Sequence, residues 1–184
     1  EYVRFFGAVI ERTTLPVAIQ NAPDYIGIGL SPAGLLTLAK AHGNFTLLKG
    51  EASAVQIRRV IEETEGRLAV FNGRAGLELP DVLRAGCAGM IPAPECFDVQ
   101  VRIAELMRTG RAEEEAEAER LYREILPLIV FVMQSVETFL CYGKRVTAQR
   151  LGLGDVHDRT PTLPPTAFGL ACAARYADRL GPFA

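Results

Sequence analysis

The chain has 184 residues, 49% of them hydrophobic and 23% charged, and a formal net charge of -2. That length supports one sizeable core. The balance is that of an ordinary globular chain, and the near-neutral charge argues against a large nucleic-acid footprint. Cys87, Cys96, Cys141 and Cys172 show no zinc-ligand spacing, and His42 and His157 stand apart, so no metal site is expected. Thiols spread in this way fit buried free cysteines in a reducing cytosol. No apolar run reaches the ~18 residues of a membrane span, since the apolar segment 125–133 is too short. The expectation is a cytoplasmic protein with neither a membrane nor a nucleic-acid partner.

The first residue is Glu1 rather than Met, and Tyr2, Phe5, Phe6, Val9 and Ile10 already follow a helical spacing. The chain is therefore expected to begin inside a fold. Short, mainly apolar runs then recur at 15–20, 45–49, 68–72 and 87–91. They have the character of strands buried on both faces. Helical patterns separate them at 32–42, 52–63 and 75–85. Ser31-Pro32 supplies a capping residue followed by a first-turn proline. Gly43, Gly66 and Gly86 stand where the three helices should close. The alternation implies a parallel sheet. It fits either part of a doubly wound sheet or half of a (β/α)8 barrel, whose other strands would come from an N-terminal segment of the same protein.

Beyond Ile91 the texture changes. Pro92 and Pro94 break the chain, and helices are expected at 95–108, 112–131, 136–151 and 166–180. Pro127 should kink or restart the second of these, and Gly152 should end the third. The charged front half of 112–131 is a solvated face. Residues 159–165 carry three prolines and suit an extended connection. The division expected is 1–93 for the alternating part and 94–184 for a helical extension.

Only three lysines are present: Lys40, Lys49 and Lys144. Lys49 alone ends a buried-strand run, Phe45-Thr46-Leu47-Leu48-Lys49. In barrel enzymes the strand tip is the catalytic face. An amine among apolar neighbours loses solvation, which favours the neutral form that attacks carbonyls to give a Schiff base. A lysine snorkelling to solvent is the competing explanation. The run before it ends in Gln20-Asn21-Ala22-Pro23, a turn stiffened by proline. The next ends in Asn72-Gly73, where glycine permits close approach. The fourth ends in Gly89-Met90-Ile91, with the Ile91 backbone available to a ligand.

Taken in this order, the segments resemble the dihydrodipicolinate synthase / N-acetylneuraminate lyase family. Its Tyr-Asn-x-Pro reads Gln20-Asn21-Ala22-Pro23 here. Its lysine followed by Glu and a small residue reads Lys49-Gly50-Glu51-Ala52-Ser53, with Gly50 inserted. Its Gly-x-x-Gly-x-Ile reads Gly86-Cys87-Ala88-Gly89-Met90-Ile91. The resemblance implies strands five to eight of a TIM (β/α)8 barrel with a C-terminal helical extension, a homo-oligomer (a tetramer in the family), a 2-oxo acid as small-molecule partner and no cofactor.

The resemblance also implies a class I lyase with Lys49 as the Schiff-base residue. Gln20 and Glu51 would be further catalytic residues, and Asn21, Gly73 and Ile91 would bind substrate. Two departures matter. The family's proton-relaying tyrosine is Gln20, whose amide does not titrate. The arginine used by the synthase branch is Tyr25. Both depart from the synthase branch, and Gln20 at the tyrosine position resembles the branch that dehydrates 2-oxo-3-deoxy sugar acids; Glu51 then becomes the candidate for proton transfer. Glu51 as a helix-dipole charge is the competing explanation. The reaction expected is dehydration or aldol cleavage of such an acid; synthase-like condensation with pyruvate and a non-catalytic oxo-acid binder are the alternatives. An unrelated doubly wound protein is disfavoured, because no Gly-rich phosphate loop follows any strand.

Overall fold

The computed structural model describes residues 1–183. The chain forms two compact units, Glu1–Ile91 and Pro92–Ala184.

In the first unit, α1 (Tyr2–Ile10) leads into β1 (Val17–Asn21), the short α2 (Pro23–Ile26) and α3 (Pro32–Ala41). Then come β2 (Phe45–Gly50), α4 (Ala54–Glu63), β3 (Ala69–Asn72), α5 (Leu79–Arg84) and β4 (Gly89–Met90). Among the described residues the four strands form one parallel sheet in the order β1-β2-β3-β4. Its core is built from Ile10, Ile19, Leu35, Leu38, Phe45, Leu48, Ile57 and Val70, each at most 3% exposed. The local chemistry explains the helix starts. Ser31 Oγ accepts from Gly34 N–H at 3.2 Å, and Ser53 and Gln56 form a reciprocal capping box ahead of α4.

Several expectations need correction. The strand foreseen at 87–91 is two residues long, because Cys87 N–H is drawn back to Val82 O at the end of α5. The helix foreseen at 75–85 is a 3-10 turn, Arg74–Gly76, and then α5. Arg74 and Ala75 have φ of 56° and 52°, which breaks a right-handed helix. Gly66 and Gly86 take left-handed backbone as helix-closing glycines should, but Gly43 does not; α3 ends in an extended His42.

The second unit holds a 3-10 turn, Pro94–Cys96, then α6 (Phe97–Arg108), α7 (Ala112–Val132) and α8 (Val136–Thr138). A π-helical segment, Phe139–Gly143, then α9 (Lys144–Arg150) and α10 (Ala167–Leu180) complete it. Helix α7 runs through Pro127 without restarting. Buried Ile125, Leu128, Ile129 and Val132 hold both sides of the proline in place despite the missing donor. The helix foreseen at 136–151 is continuous from Val136 to Arg150, with α8 and α9 joined through the π segment. Gly143 ends the π segment directly against Glu95, a long-range contact that local sequence does not encode. All four cysteines are free. Among the described residues, no single helix is long and apolar enough to cross a membrane.

Candidate active site

Register brings the site together. Gln20 pairs with Lys49, and Lys49 with Phe71, so these three side chains share one face of the sheet. One position on, Asn21, Gly50, Asn72 and Met90 align and face the other way.

On the first face, Lys49 Nζ lies 2.6 Å from Glu51 Oε1, with the two side chains 25% and 15% exposed. Gln20 Nε2 donates to the same oxygen at 2.8 Å. One carboxylate oxygen therefore bridges the amine and the amide. Lys40 and Lys144 are spent elsewhere, on Glu65 at 2.7 Å and on Asp158 at 2.8 Å. A partly exposed amine beside a proton-accepting carboxylate is the arrangement that carbonyl addition requires.

The remaining expected site residues are placed differently from one another. Asn21 does not reach toward Lys49. Its Nδ2 donates to Leu30 O at 3.0 Å and its Oδ1 accepts from Leu30 N–H at 2.8 Å, which pins the loop after β1. Gly73 adjoins Glu51: a methyl group there would lie 2.7 Å from Glu51 Cγ. Ile91 N–H donates to Asn72 O at 2.8 Å and prolongs the β3–β4 ladder. A cleft of about 340 Å³, lined mainly by Tyr2, Phe5, Phe6, Ile26 and Ile28, reaches Gln20, while Lys49 and Glu51 lie outside its lining.

One residue escaped sequence reasoning. Asn72 is 1% exposed, and its Nδ2 donates to Gly50 O at 3.1 Å and Ala52 O at 3.0 Å. The signal was present: a polar amide closes the otherwise apolar run Ala69-Val70-Phe71-Asn72, and buried amides need partners. Among the described residues, no group of three or more His, Cys, Asp or Glu is placed to hold a metal ion.

The Dihydrodipicolinate synthetase family model matches residues 1–167. The 4-hydroxy-tetrahydrodipicolinate synthase 1 of Halalkalibacterium halodurans is 25% identical over 164 residues, 88% of this chain and 53% of the relative. The 4-hydroxy-tetrahydrodipicolinate synthase of Listeria monocytogenes is 29% identical over 124 residues, 67% of this chain and 42% of the relative. The chain thus spans about half the length of these curated relatives.

Among solved structures, YagE matches with a TM-score of 0.82 and 24% identity over 97% of this chain and 60% of that one. It is an E. coli prophage protein of the dihydrodipicolinic acid synthase family, solved with pyruvate. The dihydrodipicolinate synthase of Rhodopseudomonas palustris matches with a TM-score of 0.80 and 19% identity, over 96% of this chain and 62% of that one. These structural likenesses establish the α/β fold. With the family model matching from the first residue through the start of α10, the chain belongs to the dihydrodipicolinate synthetase family.

Proposed function

We propose that the protein carrying this chain is a class I lyase in which Lys49 forms a Schiff base with the 2-oxo group of a small acid. The observation that carries this reading is the Lys49–Glu51–Gln20 cluster at the β1 and β2 tips, the amine 2.6 Å from a carboxylate oxygen. In this reading the chain contributes strands five to eight of a (β/α)8 barrel and its helical extension, and the whole protein is a homo-oligomer. The tips of a closed barrel would then enclose Lys49.

The chemistry runs in balanced steps. Glu51 takes a proton from the Lys49 ammonium, and the neutral amine adds to C2 of the substrate. The carbinolamine loses water to give an iminium, which draws electrons from C3. Glu51, its first proton gone with that water, takes a C3 proton to give the enamine and returns it to the C4 hydroxyl, which the enamine electron pair expels as water. Hydrolysis of the resulting iminium returns Lys49. Gln20 donates to Glu51 and keeps its carbonyl oxygen for a substrate hydroxyl; an amide holds such a group without titrating.

The substrate class favoured is a 2-oxo-3-deoxy sugar acid. Gln20 stands where the synthase branch carries its tyrosine, and Tyr25 where that branch carries its arginine. A second reading, condensation of pyruvate with an aldehyde, is favoured by the synthase names of the relatives. Incubating the intact protein with 2-oxo-3-deoxypentonates and following products by mass spectrometry tests the first reading. A product lighter by one water supports dehydration. Release of pyruvate points to aldol cleavage. Turnover of only pyruvate plus aspartate semialdehyde overturns the sugar-acid reading in favour of the second.

A further inference from the structure

We infer that Asn72 and Gly73, at the tip of β3, are positioning residues that hold the Glu51 carboxylate against Lys49 Nζ. This rests on the reading of Lys49 and Glu51 proposed above, and it gives both residues a task other than substrate contact.

Asn72 acts through the main chain. Its single buried NH2 group bridges Gly50 O and Ala52 O, the carbonyls on either side of Glu51. The Glu51 N–H donates in turn to Asn21 O at 2.9 Å. The backbone that carries Glu51 is thereby tied to β1 and β3 at once. Gly50 O also accepts from Gly73 N–H at 3.2 Å, so removing the Asn72 amide weakens the tether chiefly at Ala52 O, whose buried donor is costly to lose.

Gly73 acts through space. A methyl group there would lie 2.7 Å from Glu51 Cγ, 2.9 Å from Cδ and 3.0 Å from Oε1. Carbon atoms in contact settle at about 3.5–4.0 Å. Any larger residue at position 73 therefore pushes the carboxylate off its place. The place matters because one Glu51 oxygen serves both Gln20 Nε2 at 2.8 Å and Lys49 Nζ at 2.6 Å. Charge-assisted contacts of this length weaken steeply when one partner shifts.

The test uses the intact protein with Glu51→Gln, Gly73→Ala, Asn72→Ser and the pairwise combinations with Glu51→Gln. Serine has one donor and can tether only one of the two carbonyls. Two readouts are taken across pH. The first is acetylation of Lys49 by acetic anhydride, read by peptide mass spectrometry, which needs no turnover. The second is the rate of borohydride trapping with pyruvate.

The 2.6 Å contact holds the Lys49 nitrogen against Glu51 Oε1, so loss or displacement of the carboxylate leaves the nitrogen freer to meet the reagent and speeds acetylation. Glu51→Gln and Gly73→Ala are each expected to raise that rate about tenfold, the size of one lost hydrogen bond to a charged group, and Asn72→Ser to raise it less. Trapping should slow in the same three variants. In the Glu51→Gln background, Gly73→Ala and Asn72→Ser should change neither rate further, which is the mark of residues acting through Glu51. The inference is overturned if either substitution has the same fold-effect with and without the Glu51 carboxylate. Should acetylation follow the expected pattern while no pyruvate adduct forms, the positioning role stands and the Schiff-base reading falls. Asn72→Ser keeps the test open if Gly73→Ala does not fold.

Discussion

Two glutamates in this chain each lie against a glycine, Glu51 against Gly73 and Glu95 against Gly143. In both places a methyl group on the glycine would collide with the carboxyl, and in both the glutamate follows a strand tip by only a few residues. The electrostatics are opposite. Glu51 is partly open to solvent and its oxygen meets an amine and an amide. Glu95 is 2% exposed and its Oε1 has no hydrogen-bond partner, so burial pushes its pKa up to about 7.

A cation is close by, yet it serves others. Arg150 donates to the main-chain carbonyl of Glu95 at 2.7 Å and to both oxygens of Asp98 at 2.9 and 2.6 Å. Burial works against the Asp98 charge, but the hydrogen bonds from Arg150 hold its carboxyl below the usual range. A glycine reserves room for each carboxyl; what differs is that an amine and an amide reach the Glu51 oxygen while Glu95 Oε1 has no donor.

The sharpest way to break this comparison is to fill both spaces. Gly143→Ala would overlap Glu95 Oε1, a side chain packed at 2% exposure with nowhere to turn. Overpacking of this kind should cost about 3 kcal/mol in urea unfolding. Gly73→Ala should cost under ~1 kcal/mol, because the partly exposed Glu51 can swing outward. Equal losses would show that the two settings are mechanically alike.

The pH dependence separates them next. The folded value for Glu95, about 7, lies above the unfolded 4.5, so the folded state holds the extra proton. Stability should then decline as pH rises from about 4.5 through about 7 and level off above that, by up to roughly 3 kcal/mol. Glu95→Gln should flatten that part of the curve. An unchanged slope in Glu95→Gln would assign it to other groups. The smallest effect is expected at Glu51→Gln, which keeps the shape of the side chain and should move stability by about 1 kcal/mol or less, while changing Lys49 reactivity.

What was legible in the sequence was what local chemistry decides. The run Phe45 to Lys49 places an amine at a strand end, Ser31-Pro32 starts a helix, and Gly66 and Gly86 close the two helices that follow it. What was not legible depended on partners distant in sequence. Pro127 does not interrupt α7, because tertiary packing of its neighbours outweighs the lost hydrogen bond. The π segment at Phe139–Gly143 ends with Gly143 against Glu95, more than forty residues earlier. Asn21 read as an open amide at a strand tip, yet Leu30 consumes both of its polar ends. Gly73 signalled a close approach, but only the register of β2 and β3 tells that the approaching group is Glu51.

The central claim is the chemistry of one amine, and it is tested most directly by reducing the intact protein with borohydride in the presence of pyruvate and locating the added mass by peptide sequencing. The account predicts one adduct per chain, on Lys49, absent from Lys49→Arg and formed more slowly in Glu51→Gln. An adduct on Lys40 or Lys144, or no adduct in a protein that binds pyruvate, would contradict it.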